Sequence, residues 1–382
     1  MISGIQFAAA SSGIKPSGPD VGLAVFREGM HVSSLYTRNR VKAAHIIYNK
    51  KMTANPVRAL LVNSGCANAC TGKEGIEDLQ LLAERLAKLL HVNPEEIIFA
   101  STGVIGKRLP VDKMLGILSV LTKNLKEGNL ELFARSIMTT DTHQKVAQEI
   151  FEGKKNYTIM GVAKGSGMIN PLFATMLAFL FTDYPSSPQA VRKEFLFAAR
   201  ESFERITVDG ECSTNDTILL FTKKGSPDTK GMKPFCEKLS TLMKKLSLMV
   251  VHDGEGATRV IHIMVNGAKN QKIAEKIARR ISISPLTKTA FFGCDPNWGR
   301  IMAAAGDADT PLNPSRVEII MQGKVLAREG KEIPFDEGHI KNMMNKKEID
   351  LIVNLHSGNA SFDIYTTDLT YDYIKINASY RS

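Results

Sequence analysis

The longest uninterrupted apolar run in this chain of 382 residues is "MLAFLF", residues 176–181. That is the length of a buried strand and falls far short of the roughly 18 residues that suggest a membrane span. The same strand-sized runs recur: "RALLVN" at 58–63, "NYTIMGVAK" at 156–164, and "ATRVIHIMVNGA" at 257–268, which alternates with a period near two. Between them lie segments of helical period. Ile76, Leu79, Leu82, Leu86 and Leu89 recur every three or four residues, and 111–125, 188–205, 232–251 and 270–281 also read as helices. A further helix is expected from "PNWGRIMAAAG", with Pro296 near its first turn and with Asp295, Asn297, Trp298 and Arg300 fixing a loop beside the site. Strands and helices alternate over short loops, which predicts an α/β fold of mixed β-sheets layered with helices.

Composition narrows the function. Five scattered cysteines make no disulfide framework, and the CxxxC of Cys66 and Cys70 has no second pair to complete a metal site. The net charge of +10 is spread along the chain without a basic stripe interleaved with aromatics, which argues against nucleic acid and is compatible with small anionic substrates. The N-terminus has no basic segment followed by a long apolar block, so a cytoplasmic protein without a signal peptide is expected.

Four stretches can carry chemistry. "NPLFATML" places Thr175 behind the small Ala174 and before the strand-sized run. Threonine there is either a strand former or a nucleophile. A hydroxyl needs a base, and cleavage of the Ala174–Thr175 bond would create one, an α-amine with a pKa of about 7.7–8. "STGVIG" offers Thr102 and Gly103 as oxyanion donors at a strand end, with an ordinary turn as the other reading. Lys164, in "AKGSGM", suits a substrate carboxylate, and Glu255, in "DGEGATR", suits an ammonium; each is also compatible with plain solvation.

Together these stretches resemble the glutamate N-acetyltransferase, or ornithine acetyltransferase, family of arginine biosynthesis. The resemblance rests on "GIKPSGPDVGLAVF", "VNSGCANACTG", "STGVIG", "MTTDT", "AKGSGMINPLFATMLAFLFTD", "VDGECSTNDT", "DGEGATR", "DPNWGRIMAAAG" and "KINASYRS", in order along essentially the whole chain. It implies self-cleavage at Ala174–Thr175 into an α chain, 1–174, and a β chain, 175–382, in a two-domain threonine-nucleophile architecture assembled as α2β2. It implies a ping-pong transfer of acetyl from N-acetylornithine to glutamate through an acetyl-Thr175 ester, with Thr102 and Gly103 as the oxyanion hole. Substrate contacts fall on Thr139 (preferred over Thr140), Lys164, Thr175, Glu255, Asn377 and Ser382. No metal or cofactor is implied; acetyl-CoA stands open as a second donor. Cys66, Cys212 and Ser382 depart from the family's usual asparagine, threonine and threonine, which bears on substrate preference. Two other classes stay in view: an amidohydrolase or aminopeptidase on a similar self-cleaving scaffold, and a metabolite- or nucleotide-binding module using 101–108 and 163–167. A specialised acyltransferase with another acceptor is the nearest variant.

Overall fold

A computed structural model describes residues 2–52, 56–170 and 176–379, and among them fourteen strands form two mixed sheets. The first contains β1 (Ile5–Ala10), β2 (Val21–Tyr36), β3 (Val57–Cys66), β4 (Ile97–Val104), β5 (Lys145–Glu152), β6 (Asn156–Lys164), β7 (Leu177–Pro185) and β8 (Thr217–Lys223). Their order is β4-β3-β2-β8-β7-β6-β5, and β1 pairs with the first half of β2. The pairs β3–β4 and β7–β8 are parallel, and the other neighbours are antiparallel.

The reason that "MLAFLF" is apolar throughout is visible in β7. Ala178 and Leu180 face a core shared with Phe195 of the helix Pro188–Arg200 and with Leu239, Leu242 and Leu246 of the helix Met232–His252. Leu177, Phe179 and Phe181 face the opposite core, with Phe7, Phe26, Phe133 and Phe221. A strand covered on both faces cannot alternate with polar residues, because each buried Leu or Phe contributes roughly 1.5–3 kcal/mol and a polar replacement loses it.

The second sheet holds β9 (Val260–Ala268), β10 (Glu318–Met321), β11 (Lys324–Arg328), β12 (Lys331–Glu332), β13 (Glu348–Asn354) and β14 (Ala360–Thr367), in the order β12-β11-β10-β13-β9-β14. Its β9 keeps the period of two. Ile261, Ile263 and Val265 pack on Ile277 and Ile281 of the helix Gln271–Ser282, whereas the intervening His262 stacks on Tyr365 at 4.2 Å between ring centroids. The helix Met232–His252 bridges the two sheets, with Lys244 Nζ 4.3 Å from the Tyr365 ring centroid. No helix among the described residues is long and apolar enough to cross a membrane.

The two sheets do not divide the chain at 174/175. Strands β6 and β7 flank that point and pair with each other from Lys164↔Leu177 to Ile159↔Thr182, while every strand of the second sheet follows Val260. Two expectations need correction. The helix expected over 188–205 ends at Arg200 and a 3₁₀ turn, Phe203–Arg205, follows: the backbone of Ser202 leaves the helical region (φ −129°, ψ −84°), while its hydroxyl donates to the Ala198 carbonyl at 2.5 Å. Pro296 precedes the N-cap of the helix Trp298–Gly306; the cap is Asn297, whose side chain accepts from Arg300 N.

At its end β4 is drawn unusually close to β3. Thr102 pairs with both Ser64 and Cys66, and a Cβ on Gly103 (φ +131°) would lie 2.3 Å from the Gly65 carbonyl carbon. The obstacle is backbone and cannot swing aside. Gly103→Ala is therefore expected to lower the unfolding free energy by about 2–4 kcal/mol in urea titrations. A variant as stable as the parent would refute the close approach.

Candidate functional site

The C-terminal ends of β4 and β6, the loop 138–142 before β5, the loop 209–215 before β8, Glu255 and the helix Tyr371–Ser379 surround a cavity of about 260 Å³. Thr102, Gly103, Thr139, Thr140, Lys164, Glu255 and Asn377 all line it, so six positions named from sequence, and the alternative Thr140, meet in one place. Ala174, Thr175 and Ser382 lie outside the described residues. Asp295, Asn297, Trp298 and Arg300 do not line the cavity: Trp298 packs with the core of the second sheet, and its Nε1 donates to Glu332. Cys66, the last residue of β3, is buried with Sγ toward the Lys107 carbonyl, and Cys212 sits against Thr37; neither is among the residues that line the cavity.

Lys164 is the last residue of β6 and its side chain is not solvated. It is 4% exposed, and Nζ donates to Thr139 Oγ1 at 2.7 Å and Thr102 Oγ1 at 3.3 Å. Burial pulls its pKa below that of a free lysine, partly offset by Asp141 and more weakly by Glu255 and Asp216, while Lys145 lowers it further. Lys164 is the only basic side chain among the described lining residues.

Across the cavity stand three carboxylates, Asp209, Glu211 and Glu255. Glu255 is held by Asn377 Nδ2 at 2.9 Å and by its own N–H on the Ser166 carbonyl at 3.0 Å. Gly167 lies directly against it: a Cβ there would sit 2.3–2.4 Å from the Glu255 carboxyl group. Asp209 organises the loop that follows Lys164, accepting from Met168 N at 2.5 Å and Ile169 N at 3.0 Å. Burial raises its pKa, against the pull of those N–H donors.

The residues flanking 171–175 are firmly placed. Met176 N donates to Asp216 Oδ1 at 3.1 Å, and the Met176 carbonyl accepts from Thr217 N at 3.0 Å. Asp216 Oδ2 has no partner among the described residues, and burial lifts this carboxyl well above the ordinary carboxylate range. No histidine is among the described lining residues; His45, close by, is fully buried, bonds Thr217 Oγ1 at 3.0 Å and is held neutral by burial at about 3.

Five contributors were not singled out from sequence: Asp141, Asp209, Glu211, Asp216 and Tyr373. The acids lie inside the quoted "MTTDT" and "VDGECSTNDT", where an acid among hydroxyls and glycines reads equally as a solvated turn residue. Tyr373 carried none; it reaches Asp209 from the C-terminal helix at 3.4 Å. No group of three or more metal-ligating side chains occurs among the described residues.

The model of the ArgJ family matches residues 6–382. The arginine biosynthesis bifunctional protein ArgJ of Thermus thermophilus is 42% identical over 386 residues, covering 99% of this chain and 98% of its own. A protein named glutamate N-acetyltransferase, from Methanopyrus kandleri, is 38% identical over 97% of each chain. The crystal structure of arginine biosynthesis bifunctional protein argJ from Bacillus halodurans matches at 32% identity and a TM-score of 0.50, covering 53% of this chain and 98% of that one.

The contact of Gly167 with Glu255 differs from that of Gly103, because the obstacle is the tip of a flexible side chain. Gly167→Ala is expected to fold with near-parental stability while displacing the Glu255 carboxylate. Affinity for an amine-bearing ligand in the cavity should fall about tenfold or more, the worth of a charge-assisted hydrogen bond. Unchanged affinity in calorimetry would show that Glu255 does not meet the ligand.

Proposed function

Because the chain belongs to the ArgJ family, we propose that it is a glutamate N-acetyltransferase that moves acetyl from N-acetylornithine to glutamate through an ester on Thr175. The observation that carries this reading is the convergence of Thr102–Gly103, Lys164 and Glu255 on one small cavity, with Met176, the neighbour of Thr175, held by Asp216. The cavity provides a cation for a carboxylate, anions for an ammonium and a strand end suited to an oxyanion. Donor and acceptor both carry a carboxylate, and each presents an ammonium at some stage.

In the first half-reaction the Thr175 hydroxyl attacks the acetyl carbonyl, its proton passing to the α-amine freed by cleavage at Ala174–Thr175. Donors at Thr102 and Gly103 receive the oxyanion; one such donor is typically worth about 2.7–4 kcal/mol. The amide C–N bond breaks, the proton passes to the departing nitrogen, and ornithine leaves an acetyl ester on Thr175. Glutamate then enters, its neutral amine attacks the ester, and the threonine hydroxyl is regenerated. Lys164 holds the carboxylate in both halves. The absence of imidazole from the described lining supports the amine as base. Self-cleavage also accords with the Bacillus halodurans chain, which aligns over almost all its own length yet with only 53% of this one, the size of a single product.

Denaturing mass spectrometry of the purified protein is expected to give two species of about 19 and 23 kDa, scaled from the chain length, the larger beginning at Thr175. Thr175→Ala should remain a single uncut chain with acetyl exchange reduced at least about a thousandfold. Lys164→Ala should raise KM for both N-acetylornithine and glutamate roughly 10- to 100-fold. Exchange by uncut protein would overturn the α-amine as base. Release of acetate without transfer to glutamate would make the protein a hydrolase, and the same assay with acetyl-CoA tests a second donor.

A further inference from the structure

Behind Lys164 lies a charge cluster for which the proposed transfer has no use. Asp141 is fully buried and accepts three hydrogen bonds: from Gly165 N at 2.7 Å and Lys145 Nζ at 2.7 Å through Oδ1, and from Thr139 N at 3.0 Å through Oδ2. Lys145, also fully buried, is shared with Asp253 at 2.5 Å. Two of these bonds complete a ring. Asp141 holds Thr139 by its N–H; the Thr139 hydroxyl receives the Lys164 ammonium; Lys164 is joined by its own peptide to Gly165; and Gly165 N–H returns to Asp141.

We propose that Asp141 is a positioning residue for substrate binding: it locks Lys164 and Thr139 into one ring at the end of β6 and supplies the anion that balances the buried Lys164 ammonium. The inference rests on the reading of Lys164 as the carboxylate contact. The two partners that Lys164 touches, Thr139 and Thr102, are neutral hydroxyls, so its charge is balanced from a distance. The charged groups facing it are Asp141, Glu255 and Asp216, which favour the ammonium, and Lys145 and Lys15, which oppose it. Asp141 is the strongest of the favourable ones. Burial disfavours its own charge, yet Lys164 and then Lys145 outweigh burial and hold its pKa at about 2, so it stays ionised through any working pH. Glu255 is on the substrate side of the cavity, where an incoming ammonium claims it.

The sign of the consequence follows. Without Asp141 the Lys164 ammonium is easier to deprotonate, so carboxylate binding weakens as pH rises and recovers as pH falls. The test is KM for N-acetylornithine against pH in Asp141→Asn, an isostere whose one oxygen keeps the Gly165 N–H bond of Oδ1 while its amide NH2 replaces the Oδ2 that accepts from Thr139. KM at about pH 8.5 should exceed that at about pH 6.5 at least fivefold, against less than twofold in the parent, with kcat within about threefold. Adding Lys164→Arg to Asp141→Asn should flatten the profile, since a guanidinium stays charged throughout. Asp253→Asn removes the other buried partner of Lys145 and should lower the melting temperature while leaving the parental profile. A flat profile in Asp141→Asn, or an equal slope in Asp253→Asn, overturns the inference. Should Asp141→Asn not fold, the parent decides: a KM rising between about pH 6.5 and 8.5 overturns it and a constant one supports it. If Lys164→Ala leaves KM unchanged, the carboxylate-contact reading itself has failed; if it raises KM while Asp141→Asn stays flat, only the present inference has.

Discussion

Lys164 and Leu177 face each other across the antiparallel ladder of β6 and β7, and the rest of the site hangs on that pairing. It returns the chain, after the excursion 165–176, to the level at which it left. Lys164 and Met168, in the loop held by Asp209, line the cavity, and the pairing brings the Met176 peptide, held by Asp216, next to the strand position opposite Lys164. The ladder does not depend on the intervening bond. A cut in 171–175 leaves six register pairs between β6 and β7, a parallel ladder from β7 to β8, and two apolar cores gripping β7 from either side. The self-cleavage proposed for Ala174–Thr175 calls for such an arrangement, because new chain ends would have to stay where the intact chain placed them.

Around that ladder the fold accepts a costly feature. Lys164, Lys145, Asp141 and Asp253 are all buried, and an isolated charge removed from water costs several kcal/mol. The cluster is tolerable because it is nearly complete: Asp141 is satisfied by two N–H groups and an ammonium, and Asp253 by Lys145 and by Thr142 N at 3.1 Å. Lys164 alone is left with hydroxyls for partners, and it is the member that opens onto the cavity. A cation whose partners are neutral retains capacity for a further anionic partner, which is the role proposed for Lys164 toward a substrate carboxylate.

Much of this was legible along the chain. Period two at 257–268 and period near 3.6 at 76–89 report one-sided burial directly, and the elements lie where those periods put them. Family stretches such as "AKGSGM" and "DGEGATR" named residues that line one cavity. Illegible were Asp141, Asp209 and Asp216, since an aspartate among threonines and glycines is equally an ordinary solvated turn residue. The end of the helix at Arg200 also escaped, because the side-chain periodicity of 188–205 does not encode the backbone turn at Ser202.

Local chemistry therefore determined the element types, the doubly buried nature of 176–181 and the identity of the groups able to meet a carboxylate, an ammonium and an oxyanion. Tertiary structure decided that Thr102, Thr139, Lys164, Glu255 and Asn377 meet, that Lys164 is a buried cation and not a solvated one, and that strands on both sides of 174/175 belong to one sheet. The reason is that periodicity records only which side of a residue is dry. Which distant residue shares that dry side is set by strand order and register, and with it the burial that makes a common lysine and a common aspartate depend on each other.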